Sequence, residues 1–225
     1  MSKLTQAEAF KIATKDQFAI QPIPLGPLAS YSVLNDPKHM CFVLSRYKFC
    51  AKMLTGKESV LEVGCGDALG IPIVAQDARY VLGIDVDSRL IKGNRSRLKM
   101  IKNLNFKKID ICQRIPKGKF DAVYSIDVIE HLDRHLEKSF IENICKVLKD
   151  DGVCIIGTPN KNAGKYATKR SRIQHINLKD HKTLRKLFQR YFINTFIFSM
   201  NDELVHTGFY AMAQYLFAVG VGVKR

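Results

Sequence analysis

The stretch that most constrains the fold is SVLEVGCGDALG, residues 59–70. Its first five residues have the apolar character of a buried strand, and Gly64 and Gly66 then interrupt that strand. Glycine allows a sharp turn and a close approach of a ligand to the backbone, which a Cβ would block. A second apolar run, residues 80–84, ends in Asp85, where an open α/β sheet places a carboxylate for a ribose. The pattern predicts the nucleoside-binding half of such a sheet.

A glycine-rich turn alone is equally consistent with an ordinary connection between a strand and a helix. Two details favour ligand binding. Glu62 lies inside the strand, where a structural strand or a dinucleotide-binding loop usually has an apolar residue. The glycines at 64, 66 and 70 follow G-x-G-x-x-x-G, whereas dinucleotide folds use G-x-G-x-x-G.

With these residues in view, the chain resembles the class I S-adenosylmethionine-dependent methyltransferases, whose first motif reads E/D-x-G-x-G-x-G. Ala68 replaces the third glycine of that run, and we expect a slightly shifted loop with the site retained. The resemblance covers residues 57–223 and is strongest from 59 to 160. It implies an enzyme that uses S-adenosyl-L-methionine as its cofactor.

The resemblance also assigns parts of the cofactor to residues at the strand ends. Gly64 and Gly66 would lie against its methionine part, and Glu62 would bind its ammonium group, directly or through water. Asp85 would bind both ribose hydroxyls, and Asp110 would receive the adenine amino group. Asp110 could equally cap a turn, since Asp is common there. The expected cofactor-binding residues are Arg46, Glu62, Gly64, Cys65, Gly66, Asp67, Asp85, Val86, Asp110, Ile111, Ser125, Ile126 and Asp127.

Strand and helix patterns alternate from residue 57 to residue 160, which is typical of βαβ units and a parallel sheet. Two later segments, Phe192–Met200 and Gln214–Val223, have the alternation of an antiparallel hairpin. We therefore predict a Rossmann-like, doubly wound α/β sheet. It would be mostly parallel, with an antiparallel C-terminal hairpin strand, in three α/β/α layers.

The chain divides into two predicted parts. Residues 1–56 would form a helical and proline-rich cap over the cofactor site, with Arg46 or Lys48 either meeting the methionine carboxylate or lying in solvent. Within this cap, QPIPLGPLAS (residues 21–30) has three prolines and a glycine and is expected to be non-helical. Residues 57–225 would form the methyltransferase domain, with a basic insertion at 161–190.

Composition sets broad limits on the kind of protein. With 225 residues and 46% hydrophobic content, the chain can bury one sizeable core. No apolar run is long enough for a membrane span, and the N-terminus is too polar for a secretory signal. The six cysteines form no C-x-x-C pair and have no histidine at zinc spacing. We expect a cytoplasmic protein without a metal.

The net charge of +15 suits a nucleic acid, an anionic membrane surface or an anionic substrate, and also an ordinary lysine-rich surface. The insertion at 161–190 contains ten Lys or Arg and a single acid. Such a run is usually a solvated face, but beside the acceptor it would suit an anionic sugar- or phosphate-bearing small molecule. Lys169, Arg170 and Arg172 are the first candidates for such contacts.

Residues 125–132, SIDVIEHL, are similar to the stretch after strand four in small-molecule O-methyltransferases, such as those of quinone biosynthesis. Nucleic-acid amino methyltransferases have an N/D-P-P-Y/F box at this point, and no such box occurs here. His131 is the first candidate for a general base that takes the hydroxyl proton, or it could order the loop. His175 is the second candidate, followed by His181 and His206.

The sequence thus predicts O-methylation of a hydroxyl on a small molecule or glycan precursor by in-line displacement. Three alternatives stay open: a nucleic-acid methyltransferase, a nicotinamide-dependent oxidoreductase on the same sheet, and a non-catalytic nucleoside-binding domain. Steeply salt-dependent binding to RNA would favour the first. The spacing of the glycines and the presence of Glu62 oppose the second. The oligomeric state is not determined by these patterns.

Overall fold

The computed structural model describes residues 4–225, except for the side chain of Arg170, so the expectation for that residue lies outside the described part. Within these residues the chain forms one eight-stranded sheet with helices on both faces. The strands are β1 (Ser59–Val63), β2 (Tyr80–Asp85), β3 (Leu104–Lys108), β4 (Phe120–Ile126), β5 (Leu148–Pro159), β6 (Phe192–Asn201), β7 (Leu204–His206) and β8 (Tyr215–Val223).

The strand order is β3-β2-β1-β4-β5-β8-β6-β7. The first five strands in this order run parallel, and β8, β6 and β7 pair antiparallel. At the centre, Leu61 of β1 lies opposite Leu82 on one side and Val123 on the other. The chain reverses its strand order between β1 and β4, which is where open α/β sheets bind ligands. The predicted Rossmann-like fold, mostly parallel with antiparallel C-terminal strands, is confirmed.

One strand was not predicted. The segment between β6 and β8 was expected to be a simple connection, but Leu204–His206 pairs with the end of β6 as β7. The turn between them contains Asp202, whose φ of +48° is the left-handed conformation that Asp tolerates in tight turns. A strand of three residues is too short to give a periodic signal.

Helices cover both faces of the sheet and complete the three layers. Helices α3, α4 and α5 pack their apolar residues on one face, and α6 and α8 pack theirs on the other. Among the helices in the described part of the chain, none combines the length and apolar character needed to cross a bilayer. The helices are α1 (Gln6–Ala19), α2 (Pro27–Asn35), α3 (His39–Met53), α4 (Ile71–Asp77), α5 (Ser88–Arg97), α6 (Glu137–Val147), α7 (Lys169–Gln174) and α8 (His181–Tyr191).

The proline-rich stretch at 21–30 is only partly as expected. Its last four residues are helical, because α2 begins at Pro27 directly after Gly26. Proline is well tolerated at the first helical position, where its missing N–H would have no partner in any case. The start of α2 is fixed by a buried hydrogen bond of 2.8 Å from the Ala29 backbone N–H to Asp67 Oδ2. The N-terminal segment is thereby tied to the loop that follows β1.

Gly70 is required by the packing of α3 on the start of α4. A Cβ at this position would lie 2.0 Å from the ring of buried Tyr47. We expect Gly70→Ala to lower the free energy of unfolding by about 1–3 kcal/mol, as overpacking of a core does, measured by urea denaturation. Gly93→Ala is the control, because Gly93 lies inside α5 with nothing within 4 Å of an added Cβ. That control should gain up to about 1 kcal/mol, and a loss of the same size in both variants would contradict the packing explanation.

Candidate functional site

Two adjoining cavities lie at the carboxyl ends of the parallel strands. The strand-end cavity, of about 280 Å³, is bounded by the ends of β1, β2 and β4 and by the residues that follow β3. The outer cavity, of about 410 Å³, lies between α3, the loop after β4 and the segment at 159–178. Asp127 and His131 line both cavities. Of the expected cofactor-binding residues, those that line the strand-end cavity are Gly64, Asp85, Val86, Asp110, Ile111 and Asp127.

The glycine turn after β1 has a backbone that other residues rarely adopt. Gly64 and Gly66 have φ of +76° and +51°, and a Cβ on Gly64 would lie 2.3 Å from Val128. Ala68, the position of the missing third glycine, also has a positive φ of +57°. An L-residue pays roughly 1–2 kcal/mol for that conformation. The loop therefore keeps a left-handed position at Ala68 despite the substitution.

Two carboxylates stand at the ends of neighbouring strands, and both also shape their turns. Asp85 accepts hydrogen bonds of 2.9 Å from the backbone N–H groups of Gly66 and Asp87, one on each carboxylate oxygen. Asp110 accepts one of 2.9 Å from the Cys112 N–H. A carboxylate oxygen has more than one acceptor site, so both side chains can still accept from a ligand in the strand-end cavity.

Glu62 lies beneath this cavity and outside its lining. Its side chain is fully buried, and Oε2 accepts a hydrogen bond of 3.0 Å from the Tyr124 hydroxyl. Oε1 has no hydrogen-bond partner. Burial, only partly offset by the hydroxyls of Tyr124 and Tyr47, raises the pKa of Glu62 to about 8. Of the three acids predicted to surround one nucleoside, Asp85 and Asp110 line the strand-end cavity and Glu62 does not.

Several other expected residues support the cavity wall with buried side chains. Asp67 caps α2, as described above, and the pKa of the Cys65 thiol is raised by burial and by the negative charge of Glu62. Ser125 Oγ donates a hydrogen bond of 2.9 Å to the Val63 carbonyl, which fastens β4 to the end of β1. These three residues and Ile126 do not line either cavity.

A half-buried ion pair lies where the two cavities meet. Arg46 of α3 donates from Nη1 to Asp127 Oδ2 at 2.5 Å, and its guanidinium lies 4.0 Å from the centre of the Tyr215 ring. Burial opposes the charged form, but the attraction of Asp127 outweighs it and raises the pKa of Arg46. Arg46 Nε, Asp127 Oδ1 and the Tyr215 hydroxyl are all buried without a hydrogen-bond partner. Unpaired buried polar groups are costly, so their concentration here indicates a ligand site.

Glu130 and two histidines form part of the wall of the outer cavity. Glu130 is fully buried; its Oε2 accepts from the Thr158 hydroxyl at 3.0 Å, and its Oε1 has no partner. Burial and the nearby negative charge of Asp127 raise the pKa of Glu130 to about 8. The rings of His131 and His175 lie 5.0 Å apart.

The other two candidate histidines lie elsewhere. His181 stacks on the Tyr210 ring at 4.4 Å, and His206 Nε2 lies 3.1 Å from Asn201 Oδ1. Neither lines the outer cavity. Tyr210 lies in the connection between β7 and β8, and Asn201 is the last residue of β6, so both histidines contact the C-terminal part of the chain.

The insertion at 161–190 lines the outer cavity with small, aromatic and neutral polar side chains. None of its described lysines or arginines belongs to the lining. One of them, Lys179, is buried and pairs with Glu137 at 2.6 Å. The residues of the insertion that line the outer cavity are Ala163, Gly164, Tyr166, Ala167, Ser171, Gln174, His175 and Leu178.

Two members of the site were missed by the sequence. Glu130 was given no catalytic or binding role by the sequence analysis, yet its buried side chain lines the outer cavity. Tyr215 opens β8, and its apolar neighbours gave no sign that its hydroxyl would lie unpartnered near Arg46. The adjacent Glu130 and His131 in the loop that follows β4 were the available signal, since the loops at the carboxyl ends of parallel strands form the ligand crevice.

Comparison with known proteins agrees with this architecture. Residues 61–156 match the model of a family described as a methyltransferase domain. A protein of Mycolicibacterium smegmatis named as a probable S-adenosylmethionine-dependent methyltransferase is 32% identical over 117 residues, which is 51% of this chain and 43% of that protein. The ubiquinone biosynthesis O-methyltransferase of Psychrobacter arcticus is 26% identical over 131 residues, 56% of this chain and 50% of that protein. The chain thus spans about half the length of these curated relatives or less.

Solved structures support the fold. The N-methyltransferase NodS from Bradyrhizobium japonicum WM9, in complex with S-adenosyl-L-homocysteine, matches with a TM-score of 0.62. The two chains are 16% identical, and the match covers 94% of this chain and 97% of that one. At this identity the likeness shows the fold alone.

Proposed function

The chain belongs to the class I S-adenosylmethionine-dependent methyltransferases, and on that premise we propose that it methylates a hydroxyl group of a small molecule. The single observation that carries the proposal is that Asp127 and His131 line both cavities. A donor in the strand-end cavity and an acceptor in the outer cavity would meet at these two residues. Holding both reactants in line is the main task of a protein that catalyses a displacement.

The lining of the strand-end cavity supports its assignment to the cofactor. Gly64 lines the cavity at a point where a Cβ would collide with Val128, and Gly66 continues the turn with a positive φ, which suits a close approach of the methionine part to the backbone. Asp85 would accept from the ribose hydroxyls. Asp110 would accept from the adenine amino group, beside the apolar wall at Ile111. When bound, S-adenosylmethionine supplies a methyl carbon that its positive sulfur has already activated.

The chain's own groups at the junction would orient the reactants. Arg46 has an unpartnered Nε and would attract the methionine carboxylate, while Asp127 keeps its guanidinium in place. His131 donates from Nδ1 to the Gln174 carbonyl at 3.1 Å, since a carbonyl can only accept. In the neutral ring this leaves Nε2 with its lone pair. The acceptor oxygen would bond to the methyl carbon as the carbon–sulfur bond breaks, and the hydroxyl proton would leave to a base or to water.

The outer cavity favours a neutral acceptor hydroxyl. Its volume of about 410 Å³ lies within the range of small-molecule sites, roughly 300–1,000 Å³. Among the described residues of its lining, Arg46 is the only lysine or arginine, and it is already paired with Asp127. The similarity to a ubiquinone biosynthesis O-methyltransferase supports a hydroxyl on an aromatic or quinone-like ring. The described positive charges of the insertion would then not contact the acceptor.

A nucleic-acid acceptor is the second candidate, and the net charge of +15 favours it. The exposed lysines and arginines among the described residues of the insertion do not line the outer cavity, and they would contact a phosphate backbone outside it. Such binding would weaken steeply with salt.

The test is incubation of the protein with methyl-labelled S-adenosylmethionine and separate small-molecule and RNA fractions of a cell extract. We expect label in the small-molecule fraction, in a product whose ether bond resists mild base. Label in RNA would replace the proposal with its alternative. Absence of label from both fractions, with S-adenosylhomocysteine still bound in calorimetry, would indicate a non-catalytic domain, and binding of NADH in its place would indicate an oxidoreductase.

A further inference from the structure

A set of possible metal ligands is assembled in the outer cavity by parts of the chain that are distant in sequence. Glu130 and His131 follow β4, and His175 comes from the end of α7. One ligand atom from each residue lies within 4.8 Å of the other two. Two ligands on the same ion, at bonds of about 2.0–2.2 Å, lie up to about 4.4 Å apart. Small side-chain rotations would therefore close the three residues on one ion.

Two of the three side chains are already held in the way that metal ligands usually are. His131 donates from Nδ1 to the Gln174 carbonyl, so Nε2 is the nitrogen left for a metal. Glu130 is fixed through Oε2 by the Thr158 hydroxyl. Hydrogen bonds on the far side of a ligand set its orientation and its basicity, and they are a regular feature of metal sites.

The independent sign of a missing ligand is Glu130 Oε1. The Glu130 side chain is fully buried and lines the outer cavity, yet this oxygen has no hydrogen-bond partner. The nearby guanidinium of Arg46 is paired with Asp127 instead. A buried carboxylate without a positive partner is costly, and a cation in the cavity would compensate for it.

We propose that Glu130, His131 and His175 bind one divalent transition-metal cation in the outer cavity. Two imidazoles and one carboxylate suit Mn²⁺, Fe²⁺, Co²⁺ or Zn²⁺, whereas Mg²⁺ prefers oxygen ligands. Three protein ligands leave coordination positions open, as in catalytic metal sites. An acceptor hydroxyl oxygen would fill one of them next to Asp127, a role that rests on the proposed function. The cation would then lower the pKa of that hydroxyl, with its proton passing to water, and the two histidines would act as ligands in place of bases.

This site was not predicted, because the expected absence of a metal rested on the spacing of cysteines and histidines along the chain. His175 lies 44 residues after His131. The two rings lie close together because the insertion packs against the loop after β4. A hydrogen bond of 2.9 Å from the Asn177 N–H to the Glu130 carbonyl joins these two segments.

The experiment is a calorimetric titration of the EDTA-treated full chain with Mn²⁺, Zn²⁺ and Mg²⁺, with the Mn²⁺ electron paramagnetic resonance signal as a second readout. We expect one site for Mn²⁺ and Zn²⁺ and much weaker binding of Mg²⁺. His175→Ala and Glu130→Gln should each weaken Mn²⁺ binding at least 10-fold. His135→Ala, an exposed histidine outside both cavities, is the matched control and should leave it unchanged.

Failure to bind Mn²⁺ and Zn²⁺, or equal affinities for His175→Ala and His135→Ala, would overturn the site. If Glu130→Gln does not fold by circular dichroism, His175→Ala decides alone. A titration of the same metal-free protein with S-adenosylhomocysteine separates the two proposals. If the nucleoside binds and no metal does, the metal site is wrong and the proposed function stands. If the metal binds and the nucleoside does not, the proposed function is wrong and the metal site stands.

Discussion

Asp85→Ala is expected to weaken the binding of S-adenosylhomocysteine by about 10²–10⁴-fold. In the proposed complex the Asp85 carboxylate accepts from both ribose hydroxyls. Hydrogen bonds to a charged group contribute roughly 1.5–3 kcal/mol each, and about 1.4 kcal/mol corresponds to a tenfold change in affinity. The same carboxylate holds the Gly66 N–H at 2.9 Å, so its loss also loosens the glycine turn. Isothermal titration calorimetry measures the effect directly.

Asp87→Ala is the matched control for this prediction. Asp87 is an acid two residues further along, and it caps α5 by accepting from the Arg89 N–H at 2.8 Å. It lies outside the strand-end cavity. We expect this variant to lose about 1 kcal/mol of stability, as removal of a helix cap does, with a change in nucleoside affinity below threefold. Equal losses of affinity in the two variants would mean that the turn as a whole, and not the Asp85 carboxylate, governs binding.

The fold was predictable because its signals are local. The central parallel strands β1, β2 and β4 contain short apolar runs, and the turn at Gly64 needs a residue that tolerates a positive φ, which the glycine in the sequence supplies. The acids at the ends of β2 and β3 follow from the rule that ligands bind at the carboxyl ends of parallel strands. The structure places Asp85 and Asp110 at one cavity, as that rule requires.

The rest of the site depends on contacts between distant parts of the chain. Arg46 and Asp127, 81 residues apart, form their ion pair only because α3 packs against the loop after β4. Tyr215 reaches the same place because β8 lies antiparallel to β5, with Tyr215 opposite Pro159. No pattern along the sequence predicts these contacts. Glu62 shows a different limit: its position in the motif predicts a ligand contact, but the sequence did not indicate that its side chain would be fully buried against the Tyr124 hydroxyl.

Glu62→Gln is expected to change how stability depends on pH. The pKa of Glu62 is raised to about 8 in the folded protein, from an ordinary value of 4.5. Between these values the folded state binds more protons than the unfolded state, so stability falls as the pH rises. At about 1.4 kcal/mol per pH unit, the native protein should lose roughly 3 kcal/mol more than Glu62→Gln between pH 5.5 and pH 8.5. Urea unfolding of the metal-free protein at both pH values gives this difference.

Comparison of the two proteins isolates Glu62 from the other buried acid. Glu130, whose pKa is also raised to about 8, titrates in both proteins and cancels in the difference. Parallel pH profiles would show that Glu62 is already ionised in the fold, held by Tyr124 and a further donor. The predicted divergence would mean that free Glu62 is protonated at neutral pH. In that state it cannot pair with an ammonium group unless it first loses its proton, so nucleoside affinity should then rise between pH 7 and 8 in the native protein and stay level in Glu62→Gln. If nucleoside affinity changes with pH in the same way in both proteins, Glu62 does not pair with the ammonium group and only supports the turn that follows β1.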